Sequence, residues 1–155
     1  TDDGWLGVSI YQKHQGDDGS YAPPPLDLMT EQKTSSFVRQ QILGGGISAA
    51  HDIADGGLAV AIAEMAMRSG FGADIAVPKT GNLHGWAFGE DQARFVVTTA
   101  DSQTLTAAAK EAGIKITKLG MVSDRSELKF GDNDTISVTD LNTVFEGCIP
   151  ALMAG

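Results

Sequence analysis

The chain has 155 residues, of which 42% are hydrophobic and 20% charged. It is long enough to bury a core without disulfides or metals, and its composition is neither that of a disordered chain nor that of a membrane protein. A net charge of -9 excludes a sequence-independent nucleic-acid surface, because the phosphate backbone would be repelled; a small phosphorylated ligand stays open through metal or backbone amides.

Trp5 to Tyr11 reads as a strand in which Gly7 permits close backbone approach. Gly16 to Ser20 and Pro23-Pro24-Pro25 read as a loop that the prolines keep extended. A helix is predicted from Leu28 to Leu43, apolar at Phe37, Val38 and Ile42 and stopped by Gly44-Gly45-Gly46. Ile47 to Ile53 is expected to be a short buried strand, and the next helix carries Leu58, Ile62 and Met65 on one face, ends near Gly70 and takes Asp55 as its cap. Ala73, Ile75 and Val77 alternate as in a half-buried strand ended by Pro78, before a loop through Gly81, Asn82 and His84.

Arg94 to Thr99 is β-rich, and Asp101 or Ser102 is placed to cap a helix through Ala112. Ile114 to Val122 is predicted as a strand, and residues 128 to 138 as a hairpin turning at Gly131-Asp132-Asn133-Asp134. A last helix capped by Asp140 puts Leu141, Val144, Phe145, Ile149 and Leu152 on one face, with Pro150 expected to bend or interrupt it. Mixed rather than strictly alternating elements predict one α/β (α+β) sandwich, a mixed sheet packed with helices, without internal repeats.

The only cysteine, Cys148, cannot close an internal disulfide; it fits a reducing cytoplasm and is read as core packing. There is no secretory leader pattern and no apolar run of about 18 residues. The chain opens on Thr1 rather than methionine, and is therefore expected to be part of a longer polypeptide.

Chemistry concentrates in two stretches. In His51-Asp52-Ile53-Ala54-Asp55-Gly56-Gly57-Leu58, a strand ends in acidic groups, glycines permit a tight turn, and helix amides point back at it. The cap does not need Asp52, and a carboxylate at a buried strand end calls for a cation such as magnesium bound to phosphate. In Phe88-Gly89-Glu90-Asp91-Gln92-Ala93-Arg94 the glycine lets a ligand approach, Glu90 can accept from a hydroxyl or amine, and Arg94 can hold an anion. The plainer readings are a capped helix start and a surface turn with a solvated charge pair. Asp17, Asp18, Asp132 and Asp134 lack the spacing of a calcium loop and read as turn formers, and three histidines with no paired spacing, with one cysteine, give no zinc site.

These stretches, with Gly4-Trp5-Leu6-Gly7-Val8-Ser9-Ile10-Tyr11, Pro23-Pro24-Pro25-Leu26-Asp27 and Leu58 to Met65, occur in an order that resembles the C-terminal domain of phosphoribosylformylglycinamidine synthase over nearly the whole chain. The histidine-led motif is shared with relatives of aminoimidazole ribonucleotide synthetase, selenophosphate synthetase and thiamine-monophosphate kinase. The resemblance implies one AIR synthase-related C-terminal domain over residues 1–155, lacking the N-terminal ATP-binding domains of its enzyme. It implies an ATP-dependent C–N ligase of purine synthesis, using Mg2+ and ATP in the cytoplasm and converting formylglycinamide ribonucleotide to the amidine. Its partners would be those N-terminal domains, a glutaminase subunit and a small accessory subunit, and the isolated domain would be inactive.

Carried over by position, the resemblance gives Asp52 a magnesium-linked role. It gives Asp55, Gly56 and Gly57 the adjoining turn, and Gly89, Glu90 and Arg94 the ligand-side loop. Family members often carry serine where this chain has Ala54, so a hydroxyl contact there is lost. A related kinase or synthetase domain and a non-catalytic scaffold are the alternatives.

Overall fold

Helix starts with short acidic caps set the framework in the computed structural model, which describes residues 4–16, 21–132 and 134–154. The predicted turn formers Asp17 and Asp18 lie outside the described residues. Asp27 opens α2 (Leu28–Leu43): its Oδ1 accepts from Met29 N and Thr30 N at 3.0 and 3.2 Å, and its Oδ2 from Thr30 Oγ1 at 2.6 Å. Asp101 repeats this at α5 (Ser102–Glu111), with Gln103 N at 3.1 Å, Thr104 N at 3.0 Å and Thr104 Oγ1 at 2.7 Å. Each carboxylate supplies acceptors for amides that the first turn leaves without helical partners.

The Thr30 hydroxyl, then its amide, holds the Asp27 carboxyl below its ordinary value of 3.8, and the Thr104 amide, then its hydroxyl, does the same for Asp101. A carboxyl whose folded value is depressed contributes stability fully present above the unfolded value and lost as pH falls through the folded one. Wild type is therefore expected to melt above Asp101→Ala at neutral pH, with the gap narrowing once the pH falls below 3.8. Thermal melts across that range check it, and a gap independent of pH would contradict it.

The chain divides into two compact units, the first Thr1–Ala61 with Thr80–Lys118 and the second Ile62–Lys79 with Leu119–Gly155. In the first, β1 (Ala49–Asp52) pairs antiparallel with β3 (Phe95–Thr98), Ala49 opposite Thr98 and Asp52 opposite Phe95. Phe37 and Val38 of α2 and Leu105 and Ala109 of α5 close a core with Ile47, against which Phe95, Val97 and Ile114 pack. Leu105 is 3% exposed, so its burial is worth roughly 1.5–3 kcal/mol. The helix α3 (Gly57–Ser69) begins in this unit and continues into the second.

In the second unit a four-stranded sheet has the order β4-β2-β5-β6, formed by β2 (Gly72–Ile75), β4 (Gly120–Ser123), β5 (Glu127–Phe130) and β6 (Asp134–Ser137). β2 runs antiparallel to β4 and parallel to β5, while β5 and β6 make the predicted hairpin. The architecture is mixed α/β, as expected, with the strands in two sheets rather than one.

Several local readings are corrected. Residues 5 to 11 form no strand: Ser9 Oγ accepts from Gln12 N at 3.1 Å and starts the short helix α1 (Ile10–His14), because a local cap outweighs the apolar alternation. The presumed loop through His84 contains α4 (Leu83–Phe88), started by Asn82, whose Oδ1 accepts from Gly85 N at 3.0 Å. Only Gly120 onward of the predicted 114–122 strand enters a sheet, and β1 is largely exposed rather than buried.

The last helix, α6 (Val138–Ala154), is started by Ser137, not Asp140: Ser137 Oγ accepts from Thr139 N and Asp140 N at 3.1 and 3.3 Å. It runs through Pro150, and Val144, Phe145, Ile149 and Leu152 lie exposed on it. Cys148 is exposed as well, so it is not core packing. Among the described residues no helix is long and apolar enough to cross a membrane.

Candidate functional site

The β1–β3 ladder brings the two chemistry-bearing stretches together. Beyond the Asp52–Phe95 pair, Ile53 N donates to Arg94 O at 2.9 Å, so the segment leaving β1 and the segment entering β3 run side by side. Gly57 has φ 73°, and a Cβ there would lie 2.6 Å from the Phe88 carbonyl carbon and 2.9 Å from Gly89 O. Both the conformation and the space require glycine. Gly56 has φ 83°, and its N–H donates to Glu90 Oε1 at 2.8 Å. Gly56, Gly57, Gly89 and Glu90 thus meet.

The same oxygen of Glu90 also accepts from Ile10 N at 2.8 Å, the first amide of α1. Its neighbour Asp91 is 0% exposed. Asp91 Oδ2 accepts from Gly4 N at 3.1 Å and Trp5 N at 3.2 Å and lies 3.4 Å from Arg94 Nη1. The Arg94 side chain is 20% exposed, so this is no solvated surface pair, and the plainer reading of the second stretch is corrected. A wholly buried carboxylate is tolerable because three donors converge on it.

The acidic side of the corner is more open. Asp52 keeps 70% of its side chain exposed, with Oδ1 3.8 Å from His51 Nδ1. His51 Nδ1–H donates to Asp52 O at 2.6 Å, which fixes the ring against the strand end. The burial argument for a cation at Asp52 is therefore corrected: this carboxylate is hydrated without one. No group of three or more histidine, cysteine or acidic side chains among the described residues could hold a metal ion. One accessible carboxylate suits a magnesium carried by phosphate and water, not an ion caged by protein.

Asp55 is exposed and does not cap α3: Gly56 N goes to Glu90, and Gly57 N donates to Ala54 O at 3.0 Å. Both turn amides expected to face a phosphate are thus engaged inside the chain. Neither amide donates to the Asp55 side chain. A shallow concavity of about 420 Å³ lies instead along α2, beside Met29, Thr30, Lys33 and Ser36.

Sequence reasoning passed over Asp91 and Tyr11. The Tyr11 ring stacks on Phe88 with centroids 4.8 Å apart, and its hydroxyl lies 2.6 Å from His84 Nδ1. A strand reading of residues 5 to 11 hid Tyr11, whereas the signal for Asp91 is an acidic pair after Gly89, from which the buried member cannot be told locally.

The family model described as AIR synthase related protein, C-terminal domain, matches residues 2–133. The chain is similar to the phosphoribosylformylglycinamidine synthase subunit PurL of Methylocella silvestris, 42% identical over 98% of this chain and 21% of the relative. It is similar to that of Parvibaculum lavamentivorans at 44% identity over 97% and 21%. The chain thus spans about a fifth of the length of these curated relatives. Among solved structures it resembles Thermotoga maritima PurL complexed with FGAR, at TM-score 0.74 and 17% identity, covering 91% of this chain and 26% of that one. The same protein complexed with ATP matches at TM-score 0.61 and 17% identity over 70% and 21%.

Proposed function

We propose, for a chain that belongs to the AIR synthase related protein family by its C-terminal domain, that residues 1–155 are one domain of a phosphoribosylformylglycinamidine synthase. The single observation that carries this is the identity to curated synthase subunits over nearly the whole chain, which favours it over the related kinase and selenophosphate enzymes. In the reaction, ATP phosphorylates the amide oxygen of formylglycinamide ribonucleotide. Ammonia derived from glutamine then displaces phosphate, giving the amidine, ADP and phosphate.

Within that site Asp52 would help hold magnesium, which when bound supplies positive charge to the transferring phosphoryl group. Asp55, Gly56 and Gly57 on one turn, and Gly89, Glu90 and Arg94 on the other, would frame nucleotide or ribonucleotide. Asp91 engages Nη1 of Arg94, which would orient the other guanidinium donors toward an anion. ATP complexes of a fold neighbour support nucleotide chemistry.

The short span relative to the curated relatives supports further domains that complete the site. A solved structure described as PurLQS from Thermotoga maritima supports glutaminase and small accessory subunits as partners. The test is the intact polypeptide given ATP, Mg2+, ammonia and formylglycinamide ribonucleotide, or thiamine monophosphate or selenide in its place. Amidine formation is expected, and no turnover from the 155-residue chain alone. Phosphorylation of either alternative substrate instead would overturn the reading, and a polypeptide inert to all three would leave the scaffold.

A further inference from the structure

One oxygen of Glu90 holds two chain segments far apart in sequence. Oε1 accepts from Ile10 N and from Gly56 N, each at 2.8 Å, while Glu90 N donates to Trp5 O at 2.9 Å. Ile10 N is the first amide of α1, and Gly56 N lies in the turn before α3, so the carboxylate serves two helix starts at once. Amides converging on an ionised oxygen make charge-assisted bonds stronger than neutral ones.

The segments it joins carry backbone in the left-handed region. Val8 sits at φ 63°, which a β-branched residue rarely adopts, and Gly56 and Gly57 at 83° and 73°. Such conformations persist where surrounding structure over-determines them. Asp91 fixes the Gly4 and Trp5 amides, so residues 4 to 10 are tied at one end by Asp91 and at the other by Glu90.

We propose that Glu90 is a positioning residue: its carboxylate staples the start of α1 to the turn before α3, setting the backbone of the Asp52–Gly57 corner and so the placement of any ligand there. The ligand half rests on the reading that this corner belongs to a ribonucleotide site; the staple does not. Glutamine keeps an oxygen able to accept both amides and loses only the charge, whereas alanine removes the acceptor.

The test compares Glu90→Ala and Glu90→Gln in the intact polypeptide, at temperatures where each is folded, by hydrogen exchange and by steady-state kinetics. Exchange over residues 8–12 and 54–58 is expected to rise about tenfold in the alanine variant and about threefold in the glutamine variant. KM for formylglycinamide ribonucleotide should follow the same order, about tenfold and about threefold, with kcat changed less than about twofold.

Unchanged exchange in the alanine variant would overturn the staple. Equal damage to KM in both variants with exchange still slow in glutamine would overturn it too, in favour of a charge contact with ligand. Fast exchange with unchanged KM would reduce Glu90 to a structural part and sink the positioning role. If the wild-type polypeptide forms no amidine, the functional reading falls with the ligand half, and exchange alone judges the staple.

Discussion

Gly57→Ala is expected to lower the unfolding free energy by roughly 2–5 kcal/mol, the sum of a left-handed backbone penalty and an overpacking clash. At φ 73° an alanine is strained wherever it stands, and here its methyl would lie 2.6 and 2.7 Å from the Phe88 carbonyl and α carbons. Those are backbone atoms of the last residue of α4, which leads to Gly89 and Glu90, so relief comes only by separating the two stretches. Gly70→Ala is the control, because Gly70 has φ 76° with nothing within 4 Å. It should lose only about 1 kcal/mol in urea titration, and equal losses at the two positions would show that Gly57 is not packed against Phe88.

Asp91→Ala is the second large loss. The substitution strands the Gly4 and Trp5 amides and leaves Arg94 without its buried partner. Removing one member of a buried, hydrogen-bonded charge pair costs about 3–5 kcal/mol. Asn keeps an acceptor for the two amides and should recover part of this in the same titration. A loss within about 0.5 kcal/mol for the alanine variant would mean that solvent reaches Asp91.

Both predictions depend on contacts that span the sequence, and there the sequence reading is weakest. Helices α2 and α5 follow from it directly, because a glycine run ends one and Asp101 starts the other, and both signals act within a few residues. The motif in Asp52–Gly57 likewise announces its turn through paired glycines that only a positive φ explains. By contrast, Trp5, Leu6, Val8 and Ile10 alternate like a strand, yet Ser9 and the distant Glu90 fold them into a turn and a helix start. Nothing near Asp91 says that it will meet Gly4, 87 positions away. The apolar stripe of α6 predicts burial by periodicity, but Val144, Phe145, Ile149 and Leu152 on it lie exposed, as does Cys148. Periodicity tells which side of a helix is apolar, not whether something covers it.

Asp52 decides the functional account. Its side chain is 70% exposed and anchors no fold element, so a neutral replacement should leave the melting temperature within about 2 °C. In the intact polypeptide, ammonia-dependent amidine formation by Asp52→Asn is expected to fall about tenfold or more relative to wild type. Wild-type turnover in that variant, at an unchanged melting temperature, would remove Asp52 from the site and contradict the claim that this corner serves the reaction.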